Sequence, residues 1–415
     1  MNNTAHETMI ANAPRRLARL WIILLLGGLS AFAPLTIDMY LPALPELAQD
    51  YGTNASLAQM SLTACMFGIS FGQLIIGPLS DLWGRRNPLL VGLIIYAAAS
   101  IICVLAPSIE SFIVLRFVQG VGGAAGIVIS RAVVRDMYSG SEMTRFSAML
   151  SLVNGVAPII APISGGQLLQ FTSWRGVFIV LCAIGVLMFL GVIFGLRETL
   201  PPNRRMKGGI TGTFRSFGSL FRDRVFMGYA LAQGLVLGAM FAYISGSPFV
   251  LQEIYGVSPQ MFSLIFAING IGIILASQVT GRLAGRVSET KLLHYGLGQA
   301  SIAGILLLVM ILLDLGLMGL LIPLFFVVSS VGIVSTATFT LAMQNQGKAA
   351  GSASALIGLM STVFGGIMAP LVGIAGSHTA VPMGLIIAIL GLLAVLCYVV
   401  MVRGAKQAAA TTKSS

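Results

Sequence analysis

The sequence predicts an all-α membrane protein with twelve transmembrane helices in two pseudo-symmetric six-helix bundles. Three observations lead there. Of 415 residues, 57% are hydrophobic and only 9% charged, with a mean hydropathy of +0.94; a soluble globular domain carries about a quarter charged residues. Apolar runs of roughly 20 residues, the length that crosses a hydrocarbon core, recur along the whole chain. Finally, 22 of the 24 Lys and Arg residues fall in alternate connecting segments, on one side of the predicted membrane. This composition excludes a secreted domain, a nucleic-acid-binding module and an ordinary soluble enzyme.

The spans fall at 17–43, 57–79, 88–106, 111–131, 145–170, 174–196, 225–251, 260–281, 292–313, 317–343, 350–375 and 381–402. The first has the look of a secretory signal, with Arg15, Arg16 and Arg19 before Trp21 and a cleavage-like Ala31-Phe32-Ala33. Pro34 just after that cut and an apolar stretch reaching Leu44 argue for retention as a span. Glycines and prolines inside the runs are tolerated because neighbouring helices re-satisfy the backbone groups they free. With the N-terminus cytoplasmic, only Arg175 lies outside and only Arg116 lies within a span, so the basic-residue bias puts both termini in the cytoplasm. The net charge of +11 is thus a topology signal. The four cysteines are isolated in apolar runs, and His6, His294 and His378 form no ligand cluster, so no metal site is expected.

The longest polar segment, Arg197–Arg224, carries seven basic residues and Pro201-Pro202. It divides the chain into a tail at 1–16, a bundle at 17–197, a cytoplasmic basic linker at 198–224, a second bundle at 225–402 and a tail at 403–415. A weak repeat supports the division: Tyr51-Gly52 recurs as Tyr255-Gly256, Gly68 as Gly272, and Gly77-x-Leu79 as Gly281-x-Leu283, all at an offset of 204 residues.

After span two the chain reads Gly77-Pro78-Leu79-Ser80-Asp81-Leu82-Trp83-Gly84-Arg85-Arg86. This resembles the G-x-L-x-D-R-x-G-R-[RK] signature of the major facilitator superfamily, with Leu82 in place of the usual Arg. The second copy, Gly281 to Arg286, lacks the Asp. Physically the loop reads as a conformational latch: glycines permit close helix contact, and Asp81 can sit against the positive end of a helix in the other bundle. The resemblance implies that this helix is span eleven, starting near Gly351. Arg85 is placed to reach Asp136 at the end of span four. The plainer alternative is a solvated basic loop.

Span four holds Arg116-Phe117-Val118-Gln119-Gly120-Val121-Gly122, similar to the family's R-x-x-Q-G-x-G motif. An Arg inside a span needs a partner or water; the alternative is a side chain reaching the outer surface past Glu110. Span five, with Pro158, Pro162, Gly165 and Gly166, resembles the antiporter motif of drug exporters, although Ala157-Pro158 and Ala161-Pro162 replace its Gly-Pro. Such residues permit helix bending and close packing alike.

Asp38 is the one carboxylate placed within a span, about 30 Å from the start of span one at 1.5 Å per residue. Intramembrane acids are functional by default, and a desolvated carboxyl can take up a proton near neutral pH; the alternative is an interfacial or capping Asp beside Pro42. The block Asp38-x-Tyr40-Leu41-Pro42-Ala43-x-Pro45 resembles the drug:proton antiporter branch that includes bicyclomycin- and chloramphenicol-resistance proteins (the Bcr/CflA group). Ser130 to Asp136, Trp174 to Phe178 and Tyr243 to Gln252 are similar to the same group. The resemblance covers essentially the whole chain. It implies proton-coupled multidrug efflux by a multi-pass transporter of the cytoplasmic membrane, conferring antibiotic resistance, with small molecules, protons and lipid as partners, no nucleic acid, no cofactor and a monomeric state. Asp38 and Arg116 are the expected proton-coupling pair. Asp38, Gln119, Asn154, Tyr243 and Asn269 are the expected cavity residues, and Gly77, Asp81, Gly84, Arg85, Arg86 and Asp136 the latch. A metabolite exporter remains open, as, more remotely, do a membrane-embedded enzyme and a sensor; an enzyme wants titratable groups clustered at one depth.

Overall fold

A computed structural model describes residues 21–205, 218, 220–344, 350–376 and 378–404. The predicted tail at 1–16, most of the linker, Lys348 and the end of the C-terminal tail lie outside them. Helix α1 is two pieces, Trp21–Ser30 and Phe32–Asp50, bent by 43° and containing a tight turn at Leu41–Ala43. The first half continues with α2 (Ala55–Trp83), α3 (Arg86–Val104), α4 (Ile109–Met137), α5 (Gly140–Leu168) and α6 (Trp174–Gly195). The second half comprises α7 (Arg224–Phe249), α8 (Pro259–Leu283), α9 (Glu289–Leu312), α10 (Gly316–Met343), α11 (Ala350–Val372) and α12 (Val381–Cys397). Among the described residues, ten helices are long and apolar enough to cross a membrane, eleven with the bent α1. Helix α11, whose apolar part is Leu356–Val372, completes the twelve.

The helix ends follow from local chemistry. Asn54 accepts from the Leu57 N–H at 2.9 Å to start α2, and Ser108 and Ser111 form a reciprocal capping box on α4. Asp223 accepts from Val225 and Phe226, both at 3.0 Å, to start α7. Several helices overrun the predicted apolar windows: α4 runs to Met137 and α5 begins at Gly140, because polar end turns stay helical outside the hydrocarbon. The repeat appears as geometry. Gly52 and Gly256, 204 residues apart, close equivalent turns with φ of 60° and 66°, a conformation that L side chains avoid.

In the first bundle α4 packs on α2 and α3, and α3 on α6; in the second α7 packs on α11 and α12, and α10 on α8 and α9. The bundles meet along two seams, α2 with α11 and α5 with α8. Helix α5 is unbroken through Pro158 and Pro162, and Gly165 and Gly166 act as contact points. A Cβ on Gly165 would lie 1.8 Å from the Met39 carbonyl oxygen, and one on Gly166 would lie 2.4 Å from Ser263 Oγ.

Among the described residues, six hydrogen bonds cross between the bundles, each from a neutral side chain to a backbone carbonyl. Ser56 donates to Pro370, Gln59 to Ser245, Thr63 to Gly366, Gln252 to Pro42, Gln260 to Gly166 and Ser263 to Pro162. All lie toward the end carrying the α1–α2 and α7–α8 turns. The opposite, basic end is open: cavities of roughly 510 and 440 Å³ adjoin there, sharing Val128 and Arg131.

Overpacking a tight contact destabilises by about 1–3 kcal/mol. Gly165→Ala should therefore lower the melting temperature of the purified protein. Gly298→Ala, where a new Cβ meets nothing within 4 Å, should leave it unchanged in the same thermal scan.

Candidate functional site

Within the second piece of α1 the first α-helical stretch stops at Asp38, just before the turn that Pro42 and Pro45 impose. The carboxylate is 6% exposed and faces a cavity of roughly 220 Å³ lined from both bundles. Pro34 and Ile37 of α1 and Pro158 of α5 form one wall; Met240 and Tyr243 of α7, Phe266 and Asn269 of α8 and Val328 of α10 form the other. Asn269 Nδ2 donates to the Tyr243 hydroxyl at 2.9 Å, and the Tyr243 and Phe266 rings stack with centroids 5.6 Å apart. Asp38 itself has no hydrogen-bond or ion-pair partner among the described residues. An unpaired carboxylate in an apolar chamber must be neutralised by a proton or balanced by a cation, and the walls supply neither.

Of the five cavity residues expected from the sequence, Asp38, Tyr243 and Asn269 come together here. Gln119 does not: it is fully buried inside the first bundle, donating to Ser100 Oγ at 2.7 Å and accepting from Arg116. Asn154 lines the basic-end opening instead, and its amide donates to the Leu150 carbonyl of its own helix at 2.9 Å. Both side chains found intramolecular partners, which spacing alone does not reveal.

Arg116 is also fully buried, so it does not reach the outer surface. Its Nη2 donates to the Thr36 carbonyl at 2.9 Å, and its guanidinium lies 4.3 Å from the Tyr40 ring centroid and 5.4 Å from that of Phe178. No hydrogen bond or ion pair joins Arg116 to Asp38. The link is through backbone, at a carbonyl two residues before the acid.

The expected latch residues converge at the basic end. Arg85 donates from Nε to Asp136 at 2.7 Å and from Nη1 to Asp81 at 2.6 Å and Ser80 at 2.8 Å. Asp81 makes no hydrogen bond to α11 among the described residues, and the start of α11 near Gly351, where the cross-bundle contact is expected, borders residues that lie outside them. Gly77 lines the opening beside Asp81, and Arg86 Nη2 donates to the Ile193 carbonyl at 2.9 Å.

The sequence reading missed Glu198. Its carboxylate accepts from the Arg85 N–H at 2.8 Å, the Arg86 N–H at 3.2 Å and the Leu200 N–H at 2.9 Å, capping the start of α3 with the first residues after α6. Gly84, with φ of 92°, makes room: a Cβ there would lie 2.4 Å from Glu198 Oε2. Partial burial pushes the Glu198 carboxyl up, but the three N–H groups and the Arg205 charge outweigh it and hold the carboxyl below its ordinary 4.5. At the other end Arg175 pairs with Asp50 at 2.5 Å, and the Trp174 and Arg175 hydrogen bonds hold that carboxyl below its usual range.

The Major Facilitator Superfamily profile matches residues 24–370. The chain belongs to this superfamily. Among curated proteins it is 48% identical over 381 residues to the uncharacterized MFS-type transporter YdgK of Bacillus subtilis, covering 91% of this chain and 94% of that one. It is 33% identical to the bicyclomycin resistance protein homolog of Haemophilus influenzae, covering 87% and 91%. It is 32% identical to a chloramphenicol resistance protein of Pseudomonas aeruginosa, covering 69% and 67%. Solved structures share the fold. A bacterial homologue of the human lysosomal transporter Spinster, in an inward-facing occupied conformation, aligns with a TM-score of 0.73 at 16% identity, covering 93% of this chain and 97% of that one. The xylose transporter XylE of E. coli, partially occluded and inward-open, aligns with 0.67 at 14% identity, covering 91% and 96%. The twelve helices are thus those of a multi-span membrane transporter of the major facilitator fold.

The depressed Glu198 carboxyl contributes stability that is complete above its unfolded value and lost as pH falls through its lower folded value. Glu198→Gln should therefore lower the melting temperature at pH 7, with the gap to wild type closing below about pH 4.5 in a pH series of thermal scans.

Proposed function

We propose that the chain is a proton-coupled antiporter that exports lipophilic, drug-like compounds across the cell membrane by alternating access. One observation carries the reading: a single unpaired acid, Asp38, in an apolar cavity to which both bundles contribute. Apolar walls of Met, Phe and Ile suit varied lipophilic compounds better than sugars, whose many hydroxyls need many buried partners. The names of the bicyclomycin- and chloramphenicol-resistance relatives support the same class.

The units are the bundles at 17–197 and 225–402, joined by a cytoplasmic linker at 198–224, with both termini inside and the chain working as a monomer. The basic end then faces the cytoplasm, and the conformation described is closed outside and open inside. Substrate enters from the basic end and displaces the proton from Asp38; the bundles rock about the cavity, and a proton from outside expels the substrate. Arg116 acts on this cycle from a distance, by fixing the backbone just before Asp38. In the outward-open state Asp81 docks against the start of α11 while Arg85 keeps its bonds within the first bundle. No cofactor takes part. One proton crossing about 100 mV supplies roughly 2.3 kcal/mol, enough for a gradient of about fortyfold before any pH difference is added.

Inverted vesicles provide the test. Antibiotic or dye transport driven by a proton gradient should disappear with Asp38→Asn, and in the wild type with a protonophore. Full transport by Asp38→Asn would remove the acid from the mechanism. For Asp81→Asn the same vesicles should bind substrate with near wild-type affinity yet turn over at least tenfold more slowly.

A further inference from the structure

One of the six cross-bundle hydrogen bonds differs from the rest. Pro370 in α11 has no backbone N–H, so the Gly366 carbonyl four residues earlier lacks the donor that a continuous helix would give it. Thr63 Oγ1 supplies that donor from α2, across the seam, at 2.9 Å. The site is closed to solvent: Thr63 is 8% exposed, and Phe67, one turn further along α2, covers Gly366 so closely that a Cβ there would lie 2.9 Å from its ring. Other acceptors, such as Gly166 near the end of α5 and Pro370 near the end of α11, sit in last turns that open onto loops.

We propose that Thr63 and Pro370 form a conformation-specific gate. The proline withdraws a hydrogen bond from its own helix, and only the closed seam returns it, through the threonine of the opposite bundle. Separating α2 from α11 strands the Gly366 carbonyl until water reaches it. The pair therefore biases the transporter toward the state closed at this end. Thr63 acts as a positioning residue that touches neither proton nor substrate. The proposal rests on the alternating-access reading and adds a named element to it.

The test uses the full chain in lipid nanodiscs with Cys182→Ala and Cys397→Ala, spin-labelled at Gln49→Cys and His378→Cys, which are exposed on opposite bundles at the closed end. Pulsed dipolar spectroscopy then reads the ratio of short to long distances. Thr63→Val should shift that ratio toward the long distance by about five- to tenfold, the scale set by one orphaned buried acceptor. Thr63→Ser should stay near wild type. Thr63→Val with Pro370→Ala should reverse most of that shift and fall between Thr63→Val and wild type, because the new Ala N–H satisfies Gly366 within the helix in both states. A wild type that switches with substrate or pH, combined with a Thr63→Val ratio within twofold of it, overturns the gate alone. So does a double variant that keeps the shift of Thr63→Val. A wild-type distance that never changes overturns alternating access and the gate together.

Discussion

The bond from Arg116 to the Thr36 carbonyl is the constraint on which the site depends. Helix α1 is interrupted after Asp38, so the Thr36 carbonyl has lost its donor four residues on, and a guanidinium in the same bundle needs an acceptor that is not a carboxylate. Each answers the other. The Tyr40 and Phe178 rings complete the shell around the cation, and Tyr40 is itself held by Ser61 at 2.9 Å. A break in a membrane helix is tolerated only where protein re-satisfies the backbone, and here the repair is made by a charge. Because the break is fixed, the next residues are fixed too, and Asp38 is presented to the cavity.

The distribution of polar groups follows the same economy. At the basic end Arg85 is held between Asp81 and Asp136, and the Glu198 carboxylate is spread over three backbone donors. Buried hydroxyls mostly bond to carbonyls of their own or a facing helix, as Ser301 does to Leu297 and Gly391. Against that background an acid without a partner is the exception, and it lies where both bundles contribute walls. Intramembrane charges that lack a structural duty mark transport pathways.

Most of the architecture was legible in the sequence because a bilayer enforces it. Spanning length and the 204-residue repeat located the helices; polar turns lengthened some, such as α4 and α5 at their basic ends, while others stop short of the expected span, as α11 does at Val372 and α12 at Cys397. Asp38, Tyr243 and Asn269 were found because few polar residues survive inside spans. Gln119 and Asn154 met the same criterion and lie elsewhere: buried helices are apolar all round, so the pattern does not reveal which face looks into a chamber. Glu198 and Thr63 gave no signal. Each matters through a backbone group brought close by tertiary packing, with no local motif to mark it.

Among the described residues, the four hydrogen bonds between α2 and α11 and between α5 and α8 carry no formal charge on donor or acceptor. The donors are the Ser56, Thr63 and Ser263 hydroxyls and the Gln260 amide, and the acceptors are peptide oxygens. Ionic strength has nothing to screen in those bonds, and acidity in the medium has nothing to titrate in them. Those contacts are thus deaf to the surrounding electrolyte, and under the proposed mechanism the hydrogen-ion signal is heard deeper in, at Asp38.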